Sequence, residues 1–127
     1  MNKAIRAVLA DDEQVLRHHL RRLLAKLWPG LTICGEAENG VEAARLIEAH
    51  IPDIAFLDIR MPGQSGLEVA ARVPEQCQVV FITAYDEYAI AAFEKEALDY
   101  LLKPVTEDRL GVTIARLQKK FQPCPDD

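Results

Sequence analysis

Four apolar runs in this chain stop at residues able to do chemistry. Asp11 and Asp12 follow Ile5 to Ala10, Asp58 follows Ile54 to Leu57, Thr83 follows Val79 to Ile82, and Lys103 follows Asp99 to Leu102. Three carboxylates gathered in one place repel, and partial burial without a partner pushes a carboxyl pKa strongly upward. A divalent cation removes that penalty. Mg²⁺ takes oxygen ligands in near-octahedral geometry and keeps several waters, so a shallow acidic cleft suits it better than Zn²⁺ or a soft metal. A carboxylate beside Mg²⁺ is a competent nucleophile towards phosphorus, because the metal screens the repulsion between attacking and phosphoryl oxygens. The Lys103 ammonium and the Thr83 hydroxyl could then share the charge of the phosphoryl oxygens. At the end of the remaining apolar run, Leu31 to Ala37, only Glu36 and Glu38 are available.

For these groups to meet, the runs that carry them must lie side by side and point the same way. Between them the sequence supplies helices. Leu16, Leu20, Leu23, Leu24 and Leu27 form an apolar stripe that stops at Trp28-Pro29-Gly30, and Asn39-Gly40 opens a helix that ends at His50-Ile51-Pro52. Leu67 to Val73 predicts a short helix before Pro74, Tyr88 to Glu94 another, and Leu110, Ile114, Leu117 and Phe121 mark the last. Five short strands alternating with five helices predict an α/β domain, a doubly wound parallel sheet covered on both faces. In such sheets ligands bind outside the carboxyl ends of the strands, where all five groups stand.

The bulk properties set limits on function. A chain of 127 residues, half of them hydrophobic, can bury a core as one domain. No apolar run approaches the roughly 18 residues of a membrane span, and Met1 to Arg6 lack the pattern of a secretory signal; a cytoplasmic location is expected, without membrane contact. Cys34, Cys77 and Cys124 share no metal-binding spacing and fit reduced thiols. A formal charge of −5 argues against this chain gripping nucleic acid on its own, since phosphate binding needs a basic face.

Each residue also has a plainer reading. Asp11 with Gln14 three positions on fits a capping box, Thr83 fits a turn, Lys103 a solvated surface lysine, and Tyr100 core packing. His18 and His19 are adjacent and so diverge by about 100° on a helix, which suits surface residues better than ligands. His50 suits a helix end and Trp28 loop packing. Arg109, Arg116, Lys119 and Lys120 fit the dipole complement of the last helix better than an acidic partner. What the plain readings leave unexplained is why all these groups stand at strand ends.

Taken together, Asp11-Asp12, Asp58 with Met61-Pro62-Gly63 behind it, Thr83-Ala84 and Lys103-Pro104, in that order, resemble the response-regulator receiver family over residues 4–121. The resemblance implies a flavodoxin-like receiver fold of strand order 2-1-3-4-5; that order is a property of the family, and the alternation of elements alone would allow others. It implies that Asp58 accepts a phosphoryl group from a sensor histidine kinase. Asp12, Asp58 and the main-chain carbonyl of Arg60 would ligate Mg²⁺, with Asp11 acting through a water. Thr83 and Lys103 would bind the phosphoryl oxygens, Tyr100 would be the aromatic that turns inward when they do, and Lys103-Pro104 would be a cis peptide. The receiver would occupy residues 1–121, and residues 122–127 would begin a linker.

The stretch from Thr83 to Val105 resembles the LytTR (LytR/AlgR) class, which joins its receiver to a DNA-binding output domain. DNA would then be met only through a domain absent from this chain, with a stand-alone receiver as the alternative. A phosphorylation-dependent homodimer is expected through the face of the fourth helix, fifth strand and fifth helix, where Tyr88, Ala89, Ala92 and Phe93 stand beside the charged positions of the last helix. Arg60 and Tyr85, each two positions beyond a site residue, are expected to obstruct water and tune the lifetime of the phosphorylated state. Self-catalysed phosphoryl transfer and autodephosphorylation are expected, without enzymatic turnover of other substrates. A haloacid-dehalogenase-type phosphatase would need a second aspartate where Arg60 stands, and a flavodoxin-like cofactor binder would need a phosphate loop after the first strand; the chain has neither.

Overall fold

The computed structural model describes residues 4–94 and 96–121. Five strands, β1 (Arg6–Ala10), β2 (Thr32–Ala37), β3 (Ile54–Leu57), β4 (Gln78–Thr83) and β5 (Asp99–Leu102), form one parallel sheet in the order β2-β1-β3-β4-β5. Alternate residues of the strands face opposite cores, as the two-residue period requires. Val8, Ala10, Ala55, Leu57, Val79 and Phe81 pack towards α2 (Gly40–His50) and α3 (Gly66–Ala70). Leu9, Ile54, Phe56, Val80, Ile82 and Leu101 pack towards α1 (Gln14–Leu27) and α5 (Glu107–Phe121). Burial on both faces is why these strands read as unbroken apolar runs.

Register places the strand ends level. Ala10 pairs with Leu57, Leu57 with Phe81, and Thr83 with Leu102. The ladder continues into the chemical residues themselves: Asp11 N–H donates to Ala37 O at 3.0 Å, Asp58 N–H to Ala10 O at 2.9 Å and Lys103 N–H to Thr83 O at 2.9 Å. The backbone that carries the site is therefore as rigid as the sheet.

Several local expectations give way to longer-range contacts. The capping box at Asp11 and Gln14 does not form: Glu13 is the N-cap of α1, without a side-chain cap bond, and Asp11 Oδ1 accepts from Glu13 N–H at 2.9 Å. Asn39 does cap α2, accepting from Glu42 N–H at 2.7 Å. α3 covers Gly66–Ala70 and not Leu67 to Val73, because Arg72 and Val73 N–H groups donate three residues back and tighten the chain out of the helix. Ahead of α4 (Ala89–Glu94), a 3-10 turn spans Asp86–Tyr88, so α4 begins one residue after the expected Tyr88. Trp28 follows α1 and packs half-buried on the core, while His19 contacts the carbonyl of Val105 at 3.0 Å.

Arg109 and Arg116 are not mere dipole complements: both reach the Asp99 carboxylate, at 2.8 and 3.1 Å, and leave Lys119 and Lys120 in the last turn. Burial pushes the Cys77 thiol up to about 12, which makes it inert near neutral pH. Residues 122–127, expected to begin a linker, and Cys124 among them, lie outside the described residues. No helix of the described residues is long and apolar enough to cross a membrane.

Candidate phosphoryl-transfer site

Asp11, Asp12 and Asp58 each offer a carboxylate oxygen, and these lie within 4.8 Å of one another. Asp11 and Asp58 are buried and Asp12 is exposed. Lys103 bridges the buried pair, its Nζ 2.8 Å from Asp11 Oδ2 and 2.8 Å from Asp58 Oδ2. It is thus a site lysine with a 9% exposed side chain, not a solvated one, and it is delivered by the cis Lys103–Pro104 turn at the end of β5. Asp58 Oδ1 accepts a longer bond, 3.3 Å, from the N–H of Arg60.

The electrostatics of the site are held in tension. Burial raises the Asp58 pKa most; Lys103 lowers it, the Asp11 charge raises it again, and the net shift is upward. Burial lowers the Lys103 pKa, but its bonds to Asp11 and Asp58 outweigh this and the net shift is also upward. The Thr83 hydroxyl is fully buried and close enough to Asp58 to lower its pKa slightly, yet no partner meets hydrogen-bond geometry at Oγ1. Buried polar atoms are satisfied in nearly all folded proteins, so an orphaned hydroxyl beside a strained carboxylate marks a place for a ligand oxygen. All-oxygen donors with one carboxylate open to solvent also fit a hard divalent cation that keeps part of its hydration.

Beside Asp12 opens a cavity of about 490 Å³ walled by Arg60, Met61, Pro62 and Ser65. Its wall is held by close backbone packing: a Cβ on Gly66 would lie 2.2 Å from the carbonyl oxygen of Asp58, so only glycine fits there. The Arg60 guanidinium stacks 4.5 Å from the centroid of the Tyr85 ring. The Tyr100 hydroxyl donates to the carbonyl of Tyr85, and its ring packs 6.5 Å from that of Phe81. Tyr100 is thus already engaged with the core rather than lying out on the surface.

Asp11, Asp12, Asp58, Lys103 and Thr83 therefore converge, while Arg60 meets Asp58 through its N–H and is linked through Tyr85 to Tyr100. The expected dimer face fares differently. Ala92 is 2% exposed and belongs to the core, because its position on α4 turns towards the sheet, and the side chains of Tyr88 and Phe93 lie outside those described. Sequence reasoning also missed Arg17 and its pairing with Glu36; the two meet behind Asp11 at 3.0 Å. A polar residue one turn into α1 and a glutamate at the end of β2 were the available signals.

The comparisons agree with this geometry. The family model for the response regulator receiver domain matches residues 7–115. An uncharacterised response regulatory protein of Vibrio cholerae is 56% identical over 125 residues, covering 96% of this chain and 48% of its own. The transcriptional regulatory protein BtsR of Escherichia coli is 44% identical over 118 residues, covering 91% of this chain and 49% of its own. The chain spans about half the length of the curated relatives it matches. Among solved structures, the receiver domain of AraT from Geobacillus stearothermophilus superposes with a TM-score of 0.84 at 33% identity, over 93% of this chain and 95% of that one. The response regulatory domain of mrkE from Klebsiella pneumoniae gives a TM-score of 0.85 at 29% identity, over 91% and 97%. With its sheet order, its strand-end carboxylates and its bridging lysine, the chain belongs to the response regulator receiver family.

Proposed function

We propose that this chain is a phosphorylation switch whose acceptor is Asp58, fed by a sensor histidine kinase. The observation that carries the reading is Lys103 Nζ at 2.8 Å from both Asp11 and Asp58, with the unpartnered Thr83 hydroxyl buried alongside. Asp12, Asp58 and the Arg60 carbonyl would hold Mg²⁺ directly, with Asp11 behind them; the metal supplies charge neutralisation at the phosphoryl oxygens. The Asp58 oxygen facing Lys103 forms the new bond to phosphorus as the bond to the histidine nitrogen breaks and the imidazole leaves. Lys103 stays with Asp11 and turns its remaining donors to a phosphoryl oxygen. Thr83 gives its hydroxyl proton as a hydrogen bond to a second one. Removing the orphan at Thr83 is favourable only with phosphate present, which biases β4 and, through the Tyr85 carbonyl, Tyr100.

On this reading the chain is a signalling module and not a phosphatase. It acts in the cytoplasm, as the input half of a regulator whose output domain is of the DNA-binding LytTR class; a stand-alone receiver is the alternative. The lengths of its relatives, about twice its own, and the description of BtsR as a transcriptional regulator support the first. The face offered to a second copy is then β5 and α5, where Leu102 and Val112 are 48% and 47% exposed. Acetyl phosphate with Mg²⁺ should add one phosphoryl group to the intact protein, and Asp58→Ala should abolish it. A phosphorylated Asp58→Ala product would refute the acceptor, and a monomer by light scattering with and without beryllofluoride would refute dimerisation alone.

A further inference from the structure

Asp12 is the exposed carboxylate of the site, and among the described residues no hydrogen bond or ion pair holds its side chain. What the fold fixes of it is therefore the backbone from which it departs. The peptide group joining Asp11 to Asp12 is planar, so fixing the Asp11 carbonyl fixes the plane from which Asp12 departs. That carbonyl accepts a bond of 2.7 Å from Arg17 Nη1. Arg17 is itself fixed: its side chain is 11% exposed, and its Nε donates to Glu36 Oε1 at 3.0 Å. The other Glu36 oxygen takes Arg21 Nη1 at 2.5 Å. Asp11 is thereby held at every polar atom: N–H by Ala37, carbonyl by Arg17, and the two carboxylate oxygens by Glu13 N–H and Lys103.

We infer that Arg17, oriented by Glu36, is a positioning residue that holds the Asp11–Asp12 peptide and so sets the Asp12 carboxylate for a divalent cation. A cation placed near three carboxylates would by charge alone weaken binding of a second cation. Glu36 cancels that charge, which leaves the geometric benefit. The planar fork of an arginine can serve carbonyl and carboxylate together, and a lysine ammonium matches that pair of acceptors poorly.

This role for Arg17 rests on the Mg²⁺ site proposed above, and because charge and geometry act in opposite directions, the sign of the effect tests it. Mg²⁺ is titrated into the folded protein and followed by the amide shifts of Asp11 and Asp12, without any phosphoryl donor. Arg17→Gln should weaken Mg²⁺ binding by about tenfold, the usual scale for a residue that orients a ligand. Arg17→Lys should fall between Arg17→Gln and the parent. Arg21→Gln removes the same charge from the same Glu36 without touching Asp11, and should stay within about twofold of the parent, as an exposed charge does. Equal or tighter binding by Arg17→Gln would overturn the inference, as would equal losses in the Arg17 and Arg21 variants, which would trace the effect to Glu36, their shared partner, and not to the bond on the Asp11 carbonyl. Should Arg17→Gln fail to fold, Arg17→Lys against Arg21→Gln makes the same comparison. No saturable binding by the parent protein would instead overturn the metal reading, and this inference with it.

Discussion

Two aspartates of this domain have side chains that are exposed to nearly the same small extent and are treated in opposite ways. Asp99, at the start of β5, has a 7% exposed side chain that accepts from the Tyr100 N–H, the Thr113 hydroxyl and both nitrogens of Arg109, while Arg116 stands at 3.1 Å. Burial pushes its pKa up, but these donors outweigh burial and the net shift is downward. Asp58, at the end of β3, has a 6% exposed side chain with Lys103 on one oxygen and a 3.3 Å contact from Arg60 N–H on the other, and its net shift is upward. The first carboxylate is saturated and serves to tie α5 to the sheet. The second is left short of donors, so its charged form is held at a cost that a metal ion or a phosphoryl group can relieve. Burial alone does not distinguish a structural acid from a functional one; the number of donors does.

The largest effect that separates them is on stability. Asp99→Asn should lower the unfolding free energy by about 2 kcal/mol, below the 3–5 kcal/mol typical of breaking a buried pair because Arg109 and Arg116 are 42% and 55% exposed and can return to water. Asp58→Asn should leave stability unchanged or raise it, since it removes an under-satisfied charge while Lys103 keeps Asp11. Urea denaturation of the two variants without metal checks both, and a loss in Asp58→Asn equal to that in Asp99→Asn would erase the contrast.

A smaller effect is the pH dependence, which must run in opposite senses. The lowered pKa of Asp99 means its contribution is present above the unfolded value of about 3.9 and is lost as pH falls through the folded value. The difference between parent and Asp99→Asn should therefore close in acid. The raised pKa of Asp58 means its contribution is fully present below the unfolded value and is lost as pH rises through the folded one. Any stability gained by Asp58→Asn should therefore appear only above about pH 4. Urea midpoints measured across the acid range test the signs, and parallel curves for the two variants would contradict them.

The half of this contrast that lies at Asp58 was legible in the sequence, and the half at Asp99 was not. Strands buried on both faces are apolar until they end, so Asp58, Asp11, Thr83 and Lys103 stood out as the first polar residues after each run. Asp99 opens a strand instead of closing one, and its partners Arg109, Thr113 and Arg116 lie on a helix whose apolar stripe says nothing about where its polar residues reach. Arg17 was hidden for the same reason. Asp11 misled in the other direction: its spacing to Gln14 satisfied a local capping rule, but Lys103, 92 positions away in the chain, claims the carboxylate. Local patterns identified elements and strand ends; which side chains pair across elements depended on register, and register was visible only in the sheet.

The smallest expected effect concerns how Asp58 is shielded while Asp99 needs no shield. Arg60 and Tyr85, two positions beyond Asp58 and Thr83, stack on each other with 4.5 Å between guanidinium and ring centroid, and Tyr85 remains 38% exposed. A cation–π contact this exposed is worth about 0.5–1 kcal/mol, enough to change the stacked fraction of the pair by a few-fold but not to lock it. In-line attack by water on a phosphorylated Asp58 requires an opening past these two side chains, so Arg60→Ala and Tyr85→Ala should each speed loss of the phosphoryl group by a few-fold. Neither change touches the Tyr85 main-chain carbonyl that holds Tyr100, so the neighbouring contact should survive. The double variant sharpens the claim. If the two act as one stacked unit, its rate should match that of the faster single variant; independent obstacles would multiply. Dephosphorylation followed by intact mass after removal of acetyl phosphate gives the three rates, and unchanged or slower loss in the double variant would reject a steric role for the pair.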